Sequence, residues 1–367
     1  MIDKFIFFLP LVQGDLACIE HLARKFVEQQ AEQNVIYTEV RYSPHVLTPA
    51  GSFEFDATGA AGPGASARDD DAAKEVVDAV TRGLRAGCAA HAGIEVAQIL
   101  CFIDGKPQWA SALTELASSL AGDLETLAAS PAEAISLCPV VAVDVAAGEA
   151  HFVAESGFNG SAHREAMCAC AKIGLGLTNH AGESGPAGNV ALACSGAYGG
   201  ARRIGHGYAA IAEAQSAVAA AGSAGEGGGA AAAALVDALR ALSLPDGITL
   251  ELCPTSSRAT GGWTGKSWTE HPLAFLTRLR AAAEAAGASD AAAALPRVAI
   301  NSDDPAVFGS SITEEIALAV REMGLDADGL RCAMRNAADA AFLPDGAKKR
   351  LKERLEVAWE SWLAAPA

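Results

Sequence analysis

Thr178-Asn179-His180-Ala181-Gly182-Glu183, Arg203-Ile204-Gly205-His206-Gly207, Glu251-Leu252-Cys253-Pro254 and Asn301-Ser302-Asp303-Asp304-Pro305 each close a short, mostly apolar run. They set two imidazoles, a glutamate and paired aspartates at what read as strand ends. A metal-assisted hydrolase needs such a set: ligands for a divalent ion, a means of ionising water, and a group that carries a proton to the leaving atom. Gly182 permits a tight turn between His180 and Glu183. An imidazole there suits a borderline metal, and a carboxylate just beyond it can reach a substrate instead. Taken singly, His180 also fits an ordinary strand-end histidine beside a solvated glutamate, and His206 a satisfied structural one. Asp303-Asp304 is more pointed, because adjacent acids after a buried strand are costly unless one faces a metal or a cation. The site reading is favoured there over a helix N-cap, although Asp-Pro also suits a helix start.

The elements that must position these groups alternate in type. Apolar, β-branched runs at 35–40, 94–103, 140–145, 174–178, 203–205, 248–252 and 297–300 are the length of buried strands. Between them, 16–29, 71–86, 109–121, 161–172, 230–242 and 271–286 have helical periodicity. Alternation of this kind implies βαβ units and a parallel sheet, and polar residues at the strands' C-terminal ends mark the functional face of a (β/α)8 barrel. The count is one strand short of closure, and the first βα unit is the one expected to be absent. We read residues 1–367 as a single barrel domain, with low-complexity loops near 51–70 and 219–234.

Composition excludes several classes. A formal net charge of -17 with only 27 Lys and Arg argues against a nucleic-acid surface. Nine scattered cysteines read as reduced thiols of a cytoplasmic protein. No run outside the Ala-rich segments suits a transmembrane helix, and residues 1–10 lack the features of a cleaved signal.

Together with Lys4-Phe5-Ile6-Phe7-Phe8-Leu9-Pro10 and Val35-Ile36-Tyr37-Thr38-Glu39-Val40-Arg41-Tyr42-Ser43-Pro44-His45, the four opening phrases resemble the adenosine deaminases of the amidohydrolase superfamily over nearly the whole chain. The resemblance implies a TIM barrel of the metal-dependent hydrolase type and zinc-dependent hydrolysis of adenosine, and of 2′-deoxyadenosine, to inosine products and ammonia. It makes His180 and Asp303 zinc ligands and Glu183 the proton shuttle to the purine N1. His206 would orient the activated water as it attacks C6. Asp304 would hydrogen-bond N7, and Phe5 would form part of the apolar wall over the substrate. Glu183 would need a raised pKa to donate its proton, which burial beside the ring would supply.

The chain also departs from that pattern. All eight histidines are isolated, so the family's first-strand His-x-His, which supplies two zinc ligands, is not in this sequence. Ala147 stands where the family has a glycine contacting the purine, and Asp104 where it has an arginine. The expected partner is a small purine nucleoside, with neither nucleic acid nor membrane; the sequence is silent on oligomeric state. The alternatives are a truncated or non-catalytic nucleoside-binding relative, and a deaminase of adenine or an adenine nucleotide.

Overall fold

In the computed structural model the described residues are 9–49, 67–121, 135–152, 160–221 and 227–364. Phe5, and the stretch 51–66 of the first loop reading, lie outside them. The chain forms two compact units, Met1–Leu177 with Ala341–Ala367, and Thr178–Ala340.

The first unit alternates as the apolar pattern predicts: α1 (Leu16–Glu32), β1 (Tyr37–Tyr42), α2 (Ala67–Ala90), β2 (Glu95–Ile103), α3 (Ala110–Ser119), β3 (Val140–Ala146), α4 (Gly160–Lys172) and β4 (Gly176–Leu177). Its strands are ordered β1-β2-β3-β4 and all adjacent pairs are parallel. Every residue of β2 after Glu95 is buried, which is why that strand reads as a continuous apolar run instead of an alternating one. Asp15 starts α1 by accepting the Cys18 amide at 2.9 Å. Ile19, Ala23 and Val27, each four residues apart, then pack with Val76, Ala79, Val80 and Leu84 of α2. The last helix of the chain, α14 (Asp345–Leu363), belongs to this unit. Its Arg350 and Arg354 lie 3.3 and 3.0 Å from the Glu95 carboxylate at the start of β2.

The second unit holds β5 (His180–Ala181), α5 (Ala187–Cys194), β6 (Arg203–His206), α6 (Tyr208–Ala220), α7 (Gly228–Ala241), β7 (Thr249–Leu252), α8 (Pro254–Thr260), α9 (Pro272–Ala285), α10 (Ser289–Ala294), β8 (Arg297–Ile300), α11 (Pro305–Phe308), α12 (Ile312–Arg321) and α13 (Ala327–Ala340). Its sheet runs β5-β6-β7-β8, again parallel. The register sets His180, Gly205, Glu251 and Ala299 in one row. Residues that follow this row therefore leave their strands on the same side of the sheet. Inside the unit, buried Arg203 donates to Glu251 at 2.6 Å, and Thr178 Oγ1 donates to the other Glu251 oxygen at 3.3 Å. The Glu251 of the third phrase is thus a cross-strand tie, not a site acid.

Two readings change. The expected strand at 174–178 shortens to β4, which pairs with β3, and a second short ladder follows beyond it, where β5 pairs with β6. Buried Thr178 and Asn179 lie between them, and the Asn179 carbonyl still accepts the Gly205 amide at 2.9 Å. In the stretch 219–234 read as a loop, residues from Gly228 onward are helical, because Ala232, Leu235, Val236 and Leu239 form a buried stripe at helical spacing. Alanine is the strongest helix former, so low complexity there is compatible with a packed helix. No helix among the described residues is long and apolar enough to cross a membrane.

Candidate active site

Four of the sequence-predicted residues converge in the second unit. His180 occupies β5, and its pairing partner on β6 is Gly205. A Cβ at Gly205 would lie 3.2 Å from the His180 ring, so glycine there makes room for the imidazole. His206 follows at φ 68°, and Asp303 lies beyond β8 at φ 57°. Both are left-handed positions that cost a non-glycine residue roughly 1–2 kcal/mol. Backbone held this way at two strand ends is the kind of strain that collects at functional sites.

These turns bring the side chains together. His206 Nε2 is 3.5 Å from Glu183 Oε2 and 4.0 Å from Asp303 Oδ2. The His180 and His206 ring centroids are 5.2 Å apart. His206 is 3% exposed at its side chain, whereas Glu183 and Asp303 keep 23% and 20% exposure. The imidazole is therefore shielded while both carboxylates remain reachable.

The residues that fix this cluster come mainly from α8, and sequence reasoning assigned none of them. Ser256 donates a short hydrogen bond to Asp303 Oδ2, and Ser257 Oγ lies 3.4 Å from His206 Nδ1. Thr260 Oγ1 donates to Glu183 Oε1 at 2.7 Å. The Thr255 amide donates to buried Glu315 at 3.2 Å, which anchors the start of α8, and burial pushes that carboxyl up. Behind His206, the Tyr208 hydroxyl meets His271 Nε2 at 3.1 Å. Since His271 Nδ1 accepts the Leu273 amide, its proton sits on Nε2 and is donated to Tyr208. Burial lowers the His271 pKa to about 3, so this ring is neutral. The available signal was the third phrase itself: Cys253-Pro254 places a helix start directly after a buried strand, so the next hydroxyls fall on the site side.

Asp304 follows Asp303 at the head of α11 and makes no side-chain capping bond to it, so the helix-start alternative does not use this carboxyl. Ala147 belongs to the first unit, just after β3, at φ 78°. It packs against the cluster of Leu9, Val46, Ile103 and Trp109. A left-handed backbone explains why glycine suits this position, and the chain keeps that backbone with alanine.

The Asp104 departure has a local explanation. Its two carboxylate oxygens accept the Ala150 and His151 amides at 2.9 and 2.8 Å. Burial pushes this carboxyl up, but the His151 ring and the Ala150 amide outweigh it and hold the group below its ordinary value. A side chain at Gly148 would collide with Asp104 Oδ2, so the two residues are matched.

The donor chemistry of the cluster suits zinc. His206, Cys253 and Asp303 offer ligand atoms all within 4.8 Å of one another, with the His180 ring beside them. Imidazole, thiolate and carboxylate are the three ligand types zinc takes.

Comparison with known proteins bears on the family and the fold. A family model described as adenosine deaminase matches residues 2–358. The chain is 31% identical over 365 residues to the adenosine deaminase of Xenopus laevis, covering 98% of this chain and 81% of that protein. A crystal structure of an Arabidopsis ADAL with GMP superposes with a TM-score of 0.63 at 20% identity, covering 97% of this chain and 82% of that one. An amidohydrolase from Burkholderia ambifaria with bound Zn gives 0.61 at 17% identity, covering 95% and 74%. At these identities the structural likeness is one of fold.

Proposed function

Because this chain belongs to the adenosine deaminase family, with the α/β, TIM-type fold of the amidohydrolases, we propose that it hydrolytically deaminates adenosine and 2′-deoxyadenosine, releasing ammonia. The observation that carries the proposal is the shielded His206 imidazole lying 3.5 Å from Glu183 and 4.0 Å from Asp303 at the ends of parallel strands.

His180 and Asp303 would hold zinc, with His206 and Cys253 adjacent. When bound, the ion supplies Lewis acidity that lets water ionise near neutral pH. Glu183 carries a proton to the purine N1, which breaks the ring's aromaticity where C6 must become tetrahedral. Thr260 holds one Glu183 oxygen, so the other faces the reaction. His206 orients the attacking water and takes up its developing proton; Ser257 sets the ring. Asp304 hydrogen-bonds N7, and Phe5 and Ala147 contribute to the purine's surroundings. The partner is a small purine nucleoside. Nine unbridged cysteines favour the cytoplasm. The single-domain reading is supported by a family match that runs through both compact units.

The test is ultraviolet loss of adenosine by the full chain with zinc added, measured beside its metal content. Turnover of adenosine that disappears in Glu183→Gln, with nucleoside binding retained, is the expected result. Turnover of adenine or AMP in place of adenosine would move the substrate. Protein that binds adenosine and leaves it unchanged at full metal occupancy would overturn the proposal.

A further inference from the structure

Cys88, near the end of α2, and Cys138, in the turn before β3, face each other with their sulfurs 3.9 Å apart. Neither thiol belongs to the candidate active site, and both lie in the first unit. Cys138 is 1% exposed within the α1–α2 core cluster, whereas Cys88 is only half-buried at its edge. The backbone that presents Cys138 is held from several sides. Arg85, one helical turn before Cys88, donates to the Leu137 carbonyl at 2.8 Å, and Gln98 donates to the Cys138 carbonyl at 2.5 Å. Cys138 also lines a cavity of about 300 Å³, together with Thr81, Arg82, Arg85, Gln98 and Leu120.

We propose that Cys88 and Cys138 are a redox-active dithiol that closes to a disulfide on reaction with a hydroperoxide. Cys88 is the attacking group: it is the more exposed of the two, and the hydrogen bond it shares with Cys138 lowers its pKa, while that bond and burial together raise the pKa of Cys138. A half-buried thiol of lowered pKa beside a fully buried partner thiol is the arrangement of a reactive and a resolving cysteine. Cys88 Sγ attacks one peroxide oxygen, the O–O bond breaks, and the alcohol or water leaves, giving a sulfenic acid. Cys138 Sγ then attacks the Cys88 sulfur. The S–O bond breaks, and the hydroxide departs with the Cys138 proton as water. Two thiols and one hydroperoxide yield one disulfide, one alcohol and one water, with the peroxide reduced by the two electrons the sulfurs lose. To bridge, the sulfurs must close from 3.9 Å to about 2.05 Å. The bridge would close a loop of 50 residues spanning β2 and α3.

The experiment is peptide mapping of the intact, reduced full chain before and after stoichiometric hydrogen peroxide. The expected result is a Cys88–Cys138 cross-linked peptide in high yield, reversed by dithiothreitol, with the other thiols still open to alkylation. The oxidised protein should unfold several degrees higher than the reduced one, because the unfolded chain is constrained. In Cys138→Ser, Cys88 should instead be trapped by dimedone as the sulfenic acid. Failure of the native chain to form this cross-link while other cysteines oxidise first, or equal alkylation of both thiols before and after peroxide, would overturn the proposal. Mapping of the native chain settles it even where the serine variant does not fold.

Discussion

Acidic groups lie in or just after parallel strands in both units, and they are spent differently. In the second unit Glu183 and Asp303 turn toward His206 and keep about a fifth of their side-chain surface exposed. In the first, Asp144 is fully buried and paired with Arg41 at 2.9 Å, and Asp104 has both oxygens occupied by the amides that follow β3. Left-handed non-glycine residues occur not only at His206 and Asp303 but also away from the proposed site, at Asn34 in the first unit and Ser243 in the second. Backbone strain therefore does not by itself separate a site from a scaffold. What separates them is whether the polar groups are saturated from within or are left facing solvent, where a ligand can use them.

The widest break in this contrast should come from isosteric loss of charge. Glu183→Gln is expected to lower kcat by about 10²–10⁴-fold while leaving the unfolding midpoint close to that of the parent protein; steady-state kinetics beside thermal unfolding checks both halves. Arg41→Ala should do the reverse, costing about 3 kcal/mol of stability because the fully buried Asp144 carboxylate would lose its guanidinium counter-charge, as read by denaturant titration.

Acid should then distinguish the units. Burial depresses His271 to about 3, so the unfolded chain binds a proton that the folded ring refuses below about 6.5. Stability of the second unit is expected to fall as pH drops from about 6.5 toward 3, by up to about 1.4 kcal/mol per pH unit. Asp104 is held below its ordinary 3.8. Its contribution is present above that value and is lost only as pH falls through its lower folded value. Hydrogen exchange followed peptide by peptide from pH 7 to 4 should show 178–340 loosening first, and simultaneous loosening of both units would contradict this. The smallest effect belongs to Thr260→Val. Removing its bond to Glu183 should cost about 1 kcal/mol, seen as a roughly fivefold drop in kcat/KM carried mainly by kcat.

The apolar runs located the strands well because parallel strands buried on both faces leave a continuous β-branched signature, as β2 does. The opening phrases were legible for a related reason: polar residues interrupting such runs sit at strand ends. Ser256, Ser257 and Thr260 were not legible, since hydroxyls in a short helix have no period and show their role only once α8 is folded against β6 and β8. Asp104 looked like an unexplained departure because its partners are main-chain amides, which carry no sequence signal. Phe5 and the segment 51–66 lie outside the described residues.

By itself, then, the amino-acid order determined which side chains could do chemistry and which strands would carry them, since burial pattern and residue type are local properties. Tertiary structure decided which acids remained available. Parallel register set His180 beside Gly205 and carried Asp303 past the end of β8 toward His206. The Arg41 guanidinium and the amides at 150–151 consumed the acids of the other unit. Whether a carboxylate is a reagent or a strut depends on what lies within hydrogen-bond reach, and residues 47 to 103 positions apart in the chain come within that reach only after folding.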